Sequence, residues 1–398
     1  MTSASDKKSL LIIFAVIAFV ITGTTVATYF ARGYKLNIEQ GTIQATGLIS
    51  LTSLPKGASV YLNDRLVTAT DDNLSLIPGE YQIKIVKDGF IPWQKTYQVK
   101  KEIVFQTNAN LFRSVPELLP ITLSGAINPT ASPDKSQLVF AVASASASKD
   151  NGLFVIGLND PLIPLSRSLP KQLAINASNI DWSKASFKFS PNGRQILATF
   201  SNANYLINLD SSVNSNTLFD VTARIPLINS DWQKQDQEIV QKNLDRLPEV
   251  LKDYVATDSS KLISFNQADD KVFYLANKSG LLLPSAITPP PAQSTQNQDR
   301  NIVAGNYYVY DLKDFTNYLI GNQQSISELS WLPNSNNLIF VEDNSIKACD
   351  YDHTNRATIF SGNFKKDLVT PWADGSKIIT LTEAYPGASQ NLYSISLK

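Results

Sequence analysis

The sequence predicts an all-β chain: one N-terminal transmembrane helix, a small β-sandwich, then a β-propeller of about five or six blades with an inserted helical segment. Three observations predict it. Residues 10–30, LLIIFAVIAFVITGTTVATYF, hold no charged side chain, whereas the rest of the chain is polar. Between residues 46 and 106, short runs of alternating hydrophobicity are separated by Gly- and Pro-bearing turns. Beyond residue 118 a hairpin-rich unit recurs.

From Ser9 to Ala31 no side chain ionises. A helix of that length, at about 1.5 Å per residue, spans the roughly 30 Å hydrocarbon core of a bilayer. Tyr29 and Tyr34 fall where an aromatic belt would meet the headgroups. Residues 1–34 are therefore read as a short tip and a membrane anchor. Lys7 and Lys8 precede the segment and Arg32 and Lys35 follow it, so flanking charge sets no orientation. A cleavable signal peptide is the rival, with Leu10–Ile21 as its apolar stretch and Thr25 and Ala27 as its small-residue site. Either way the bulk of the chain is exported; an orientation with the propeller in the cytoplasm stays open because the charges tie.

Thirty-five basic residues balance 35 acidic ones, which gives no electrostatic case for nucleic acid or an anionic membrane surface. Cys349 is the sole cysteine, so no intrachain disulfide can form. A chain of 398 residues with 43% hydrophobic content can bury two cores.

The first core lies in 46–106. Pro55-Lys56-Gly57-Ala58 breaks a strand, Val60-Tyr61-Leu62 resumes it, and Asn63-Asp64-Arg65 turns. Pro78-Gly79 matches a type II turn with Gly at the positive-φ position. Tyr81, Ile83 and Ile85 then alternate with polar neighbours, and Gly89 ends the run before Phe90-Ile91-Pro92-Trp93. Strands Thr96–Val99 and Ile103–Gln106 complete the unit. The ordered motifs Pro55-x-Gly57-Ala58-x-Val60-Tyr61-x-Asn63, Leu76-x-Pro78-Gly79-x-Tyr81-x-Ile83 and Gly89-Phe90-x-Pro92-Trp93 resemble the PEGA domain. Lys56 stands where that family has Glu, and Thr68–Asp72 replaces its usual mid-domain Gly-x-Thr-Pro turn. The resemblance implies a small β-sandwich of surface and envelope proteins, without enzymatic activity, with Tyr81 and Trp93 in the core.

The second core lies in 118–398. Ser132-Pro133-Asp134-Lys135 precedes Leu138–Val142, Ser190-Pro191-Asn192-Gly193 precedes Ile196–Phe200, and Phe265–Asp270 precedes Val272–Leu275. Leu332-Pro333-Asn334 precedes Leu338–Val341, and Trp372-Ala373-Asp374-Gly375 precedes Ile378–Leu381. A further strand follows each: Leu153–Asn159, Tyr205–Asp210, Tyr307–Asp311, Ile346–Asp350 and Leu392–Leu397. These are five propeller-blade units, with a sixth if strands near Leu118–Leu123 close the ring. Two insertions interrupt the repeat. Residues 231–255 read as helix, with Val240, Leu244, Leu247, Leu251 and Tyr254 on one stripe, a capping box of Ser230 and Gln233, and a break at Pro248. Residues 284–301, with Pro289-Pro290-Pro291, read as a flexible polar loop that the fold does not need. The turn motif resembles the TolB/WD40-like (PD40) propeller repeats, and the whole order resembles a bacterial membrane-protein family of the same build. That resemblance implies a single-pass protein of the bacterial cell membrane whose bulk is extracytoplasmic.

Catalytic parts are few. His353 is the only histidine, four residues after Cys349, and their spacing at one strand end does not orient a nucleophile pair. There is no HExxH, CxxC, Gly-x-Ser-x-Gly, phosphate loop or dinucleotide fingerprint. Asp71, Asp72, Asp134, Asp269, Asp270, Asp343, Asp350 and Asp352 fit turn positions, where Asp accepts local hydrogen bonds. Trp93, Trp182, Trp232, Trp331 and Trp372 fit packing positions better than sugar-stacking platforms. No catalytic, cofactor-binding or metal residue is assigned, and no cofactor is expected. The expectation is a non-enzymatic, membrane-anchored scaffold that holds an envelope protein or a cell-wall glycan, with the inserted helix and Pro-rich loop as recognition additions. Two alternatives stand: a glycan-active hydrolase or lyase with carboxylates converging in the channel, and a soluble TolB-like periplasmic component released near Ala27.

Overall fold

A computed structural model describes residues 4–31, 34–37, 42–159, 169–284, 294–383, 385 and 387–398. The chain divides into two compact units, Met1–Lys87 with Pro92–Ala109 and Gln293–Thr295, and Asp88–Ile91 with Asn110–Ala292 and Gln296–Lys398.

In the first unit, helix α1 runs Ala4–Ala31. Its segment Ile12–Tyr29 has mean hydropathy 2.1 and none of it is buried against protein. Thr22, Thr24, Thr25 and Thr28 donate their hydroxyls to the carbonyls four residues back, each at 2.7 Å. Their polar atoms are thereby satisfied within the helix, as an apolar surround requires.

Two sheets follow, the first mixed: Gly47–Leu54 pairs antiparallel with Asp72–Leu76 and parallel with Val104–Asn110, its bonds advancing from Leu48–Ile103 to Thr52–Thr107. One has three strands in the order Asp72–Leu76, Gly47–Leu54, Val104–Asn110. The other has four, Arg65–Ala69, Ser59–Leu62, Gly79–Val86, Trp93–Val99. Alternation supplies the buried set: Ile49 and Leu51 from one sheet, Val60, Ile83, Ile85, Trp93, Tyr97 and Val99 from the other. Asn63 (φ 47°) and Asp64 (φ 62°) form the tight hairpin turn that matches strand twist. Pro78-Gly79 is not the expected type II turn: Gly79 is outside the positive-φ set and opens a strand that runs to Val86. Tyr81 also departs from its expected core place and is only half-buried, its hydroxyl bonded to the Ile77 carbonyl at 3.0 Å.

The second unit is a β-propeller with, among the described residues, five blade sheets and one two-stranded ribbon, Gly280–Leu281 with Asn301–Ile302. Blade 1 is Ile127–Ala131, Gln137–Val142, Gly152–Gly157 and Lys171–Ile175. Blade 2 has three strands, Ser186–Phe189, Gln195–Thr199 and Asn204–Asn208. Blade 3 is Ile263–Phe265, Lys271–Leu275, Asn306–Asp311 and Thr316–Asn322. Blade 4 is Ser327–Trp331, Asn337–Glu342, Ser345–Asp350 and Ala357–Ser361. Blade 5 takes Thr370–Pro371, Lys377–Thr382 and Asn391–Ser396 from late in the chain and its outermost strand, Leu118–Pro120, from far earlier. Leu118 therefore pairs with Ile395, and the strand near Leu118–Leu123 completes the fifth sheet instead of adding a sixth.

Both faces of a blade strand are apolar because each blade meets two neighbours. In blade 1, Val139 and Ala141 face Phe187, Phe189 and Ile196 of blade 2. The alternate residues Leu138, Phe140 and Val142 face Ile379, Leu381 and Leu392 of blade 5. Blades 3 and 4 meet through Phe273, Val309, Leu338 and Phe340, and blades 4 and 5 through Ile339, Val341, Ile378 and Ile395.

Blades 2 and 3 are joined through helix. α2 runs Ile225–Asp245 and α3 runs Glu249–Lys252. Ile228 and Trp232 pack on Leu197 of blade 2, while Val240, Leu247 and Leu251 pack on Val272, Tyr274 and Tyr308 of blade 3. The insert thus packs as a wedge between blades 2 and 3. It also begins six residues before the expected start: Pro226 occupies its first turn and its N-cap, Arg224, makes no side-chain bond, so Ser230 and Gln233 form no capping box. Pro248 does separate the two helices. Of the loop expected over 284–301, residues 285–293 lie outside the described residues. Its far end is not free chain, since Asp299 N–H bonds the Asn317 carbonyl at 2.7 Å and Asn301–Ile302 pairs with Gly280–Leu281.

Trp232→Ala removes the largest side chain from the blade 2 joint. The propeller is expected to lose about 3–5 kcal/mol of stability in denaturant titration. Phe219→Ser, at an 85% exposed position, is expected to stay within about 0.5 kcal/mol of the parent. Equal behaviour of the two variants would contradict a structural role for the helix.

Candidate binding cleft and channel

The ring places its loops at two ends. At one end lie the turns between the first and second strands of each blade. Each is fastened by its own polar side chain: Asp134 accepts from Ser132 Oγ (2.5 Å) and Ser136 N–H (3.1 Å), Asn192 from Ser190 Oγ (2.8 Å) and Arg194 N–H (3.1 Å), and Asp374 from Ser376 N–H (2.8 Å). The turns also bond to one another. Asn334 N–H donates to Gln267 Oε1 at 2.8 Å, Asn334 Nδ2 to the Ala373 carbonyl at 3.2 Å, and Ala373 N–H to the Leu158 carbonyl at 3.0 Å. The repeat's Asp and Asn residues are thus used in holding turns.

At the opposite end, where blades 5 and 1 meet, there is a cleft of about 450 Å³. Asn128 and Pro129 from the inner strand of blade 1, Ser144, Lys365 and Gln390 line it. The Lys365 ammonium donates to the Pro129 carbonyl at 3.2 Å and stands 3.6 Å from Asp367. Ser144 Oγ donates to the Ser124 carbonyl at 2.7 Å and keeps its acceptor lone pairs. Asn128, at φ 50°, bridges to the Ala185 carbonyl at 2.7 Å. One accessible cation amid hydroxyls, amides and carbonyls suits a polar ligand that both donates and accepts hydrogen bonds.

The residues singled out by sequence do not assemble into chemistry. Cys349 is fully buried in the joint between blades 3 and 4, and burial pushes its thiol pKa well up. His353 sits on a turn at φ 65° with Nε2 2.7 Å from Arg356 Nη1; burial and then that guanidinium hold its pKa down. Asp350 accepts from Asn337 Nδ2 (2.8 Å) and Asn355 Nδ2 (2.9 Å), and Asp352 from Thr354 Oγ1 (2.6 Å). Asp270 and Asp311 flank the buried Lys271 ammonium at 3.3 and 3.2 Å. Asp71 pairs with Lys56 at 3.0 Å, Asp72 accepts from Thr68 Oγ1 at 2.5 Å, and Asp343 lies 3.0 Å from Lys347. All five tryptophans are buried, so none offers a ring face at a mouth. Among the described residues no group of three or more His, Cys, Asp or Glu is placed to hold a metal. Sequence reasoning missed Lys365 and the Lys135–Glu328 pair, whose ammonium and carboxylate lie 3.4 Å apart. A signal existed for Lys135, which fills the turn position that is Gly193 in blade 2 and Gly375 in blade 5.

One surface ion group stands out on blade 4. Glu342 accepts from Lys347 Nζ at 2.7 Å and from Arg356 Nη2. Burial raises its carboxyl pKa, but the Lys347 and Arg356 bonds outweigh that and leave it below the ordinary Glu value.

Residues 46–114 match the family model of the PEGA domain. None of the curated proteins matches the chain. Among solved structures, a protein described as TolB from Agrobacterium tumefaciens is 12% identical, with 68% of this chain and 78% of that one aligned at a TM-score of 0.21. An acylaminoacyl peptidase of Pyrococcus horikoshii is 10% identical, with 70% of this chain and 39% of that one aligned at a TM-score of 0.20. At those scores the propeller rests on the chain's own ring of sheets, and the sandwich on the PEGA match and its two sheets.

A carboxyl held below its unfolded pKa adds stability above that pKa, and the contribution disappears as pH falls through the folded value. Glu342→Gln is therefore expected to lower the unfolding midpoint at pH 7, the difference shrinking as pH falls through the acid range. A constant difference across that range would contradict the assigned ion group.

Proposed function

We propose that this chain is a membrane-anchored, extracytoplasmic binding protein of the bacterial envelope. In this reading its PEGA domain is a stalk and its propeller holds an envelope protein or a cell-wall glycan by binding, without turnover. Helix α1 carries the reading: the eighteen residues Ile12–Tyr29 hold no charge, have a mean hydropathy of 2.1 and are unburied. An uncovered surface of that kind has a cost in water and none in lipid. The PEGA match over 46–114 supports placement outside the cytoplasm. The polar cleft of Asn128, Ser144 and Lys365 supports a ligand rich in hydrogen-bonding groups.

Fractionation of cells producing the full chain, followed by protease shaving, tests this. The expected result is a full-length protein that resists carbonate extraction and loses its propeller to external protease. A soluble product shortened by the leader would instead establish a cleaved signal peptide, and a propeller protected in intact spheroplasts would establish the opposite orientation.

A further inference from the structure

In the first unit, the turn between strands Trp93–Val99 and Val104–Asn110 is tied to the end of the apolar helix. Glu102 Oε1 accepts a hydrogen bond from the Tyr34 hydroxyl at 2.7 Å, and the Tyr34 ring meets the Tyr29 ring edge-on, 5.0 Å between centres. Tyr29 is the last residue of the uncharged segment Ile12–Tyr29. The turn itself is clamped. Glu102, at φ 60°, donates its N–H to the Thr46 carbonyl at 2.9 Å, and Leu48 N–H donates to the Ile103 carbonyl at 3.0 Å. Gly47 permits this close approach, because a Cβ there would collide with the Lys100 carbonyl and the Val99 side chain. All of these residues belong to the same compact unit.

The same turn walls an open groove of about 540 Å³. Its lining is apolar at Pro78, Val99 and Ile103 and cationic at Lys100 and Lys101, and none of its lining side chains is acidic. Both lysines are exposed, and neither ammonium has an ion-pair or hydrogen-bond partner among the described residues. Glu102 does not line the groove; its carboxylate is engaged by Tyr34. Ile77, just before Pro78, and Val104, just after Ile103, extend the apolar surface and are 51% and 63% exposed. The balance of 35 basic and 35 acidic residues holds for the whole chain and conceals this local combination. An apolar wall beside two unpaired ammonium groups has the polarity of a phospholipid, whose phosphate adjoins glycerol and acyl carbons.

We propose that this groove binds the headgroup of an anionic phospholipid in the membrane that α1 crosses. The inference rests on the membrane-anchored reading above. The tether through Glu102, Tyr34 and Tyr29 sets the two ammonium groups beside the level where the apolar helix ends and headgroups begin. A basic side chain at that level strengthens attraction to an anionic surface about fivefold. The phosphate pairs with Lys100 and Lys101, and the glycerol and first acyl carbons cover Pro78, Val99 and Ile103. A free phosphate ion would use the lysines and leave the apolar wall in water. The contact docks the sandwich against the bilayer, and it does so in either orientation of the chain, because the turn is tied to the helix end itself.

Amide exchange of the full chain in lipid nanodiscs tests it. Three samples are compared: phosphatidylcholine discs, discs of phosphatidylcholine mixed with phosphatidylglycerol, and phosphatidylcholine discs with soluble glycerol phosphate added. Exchange over residues 98–103 is expected to slow several-fold in the phosphatidylglycerol discs alone, while strands Ser59–Leu62 and Arg65–Ala69 stay unchanged. Lys100→Gln combined with Lys101→Gln is expected to remove that slowing without lowering the unfolding temperature, since both side chains are exposed and unpaired. Equal slowing by glycerol phosphate, no slowing in phosphatidylglycerol discs, or slowing that survives the double variant would overturn the proposal. A chain that leaves the discs would overturn the anchor and this proposal with it, whereas a chain retained in the discs without lipid dependence at 98–103 overturns the proposal alone.

Discussion

A blade with two apolar faces cannot exist by itself, and the propeller depends on that constraint. Leu138 and Val139 are neighbours in one strand, yet they are buried in different joints, one against blade 5 and the other against blade 2. Every sheet therefore needs a partner on each side, and an open ring would expose apolar surface at its ends. Two devices close it. The strand Leu118–Pro120 pairs with Asn391–Ser396, so that chain segments some 270 residues apart share one sheet. Helices α2 and α3 fill the joint between blades 2 and 3, their stripe divided between Leu197 on one side and Val272 and Tyr308 on the other.

The helical wedge explains why the insertion is amphipathic in two directions. Trp232 and Ile228 face blade 2 near its start, and Val240 and Leu247 face blade 3 further along. At about 1.5 Å per residue, 21 residues cover about 31 Å. Arg246, just after α2, pairs with Asp269 at 2.6 Å and lies 3.6 Å from the Phe265 ring centre, tying the helix end to the turn of blade 3. Leu227 is exposed, and the buried apolar side chains of α2 face the two blades.

Much of the fold was legible because its signals are local. Residues 138–142, 272–275 and 338–341 are continuous apolar runs, and 196–200 and 378–381 are broken only by Thr199 and Thr380, as suits strands packed on both faces. The helix stripe from Val240 to Leu251 was legible for the same reason. Its start was not, because Ser230 and Gln233 imitate a capping box while Pro226 provides the actual first turn. Gly79 misled in a similar way, since a Pro-Gly pair is a turn signal even where Gly begins a strand. Ring closure by strands near Leu118–Leu123 was legible, but their place in the fifth sheet was not, because the partner Ile395 is set by the completed ring. The Lys135–Glu328 pair was equally hidden: its members are 193 positions apart and only the ring brings them together.

The surface chemistry follows from the same geometry. Turn carboxylates are occupied with their own loops, which leaves the unshared polar groups at the blade 5–blade 1 cleft. Hydrogen–deuterium exchange of the propeller tests the closed ring most directly. The account expects amides of Leu392–Ser396 and of Val240–Leu244 to exchange only on global unfolding, at the rate of the Leu138–Val142 strand. Faster, independent exchange at either closure, with the other blades still protected, would contradict it.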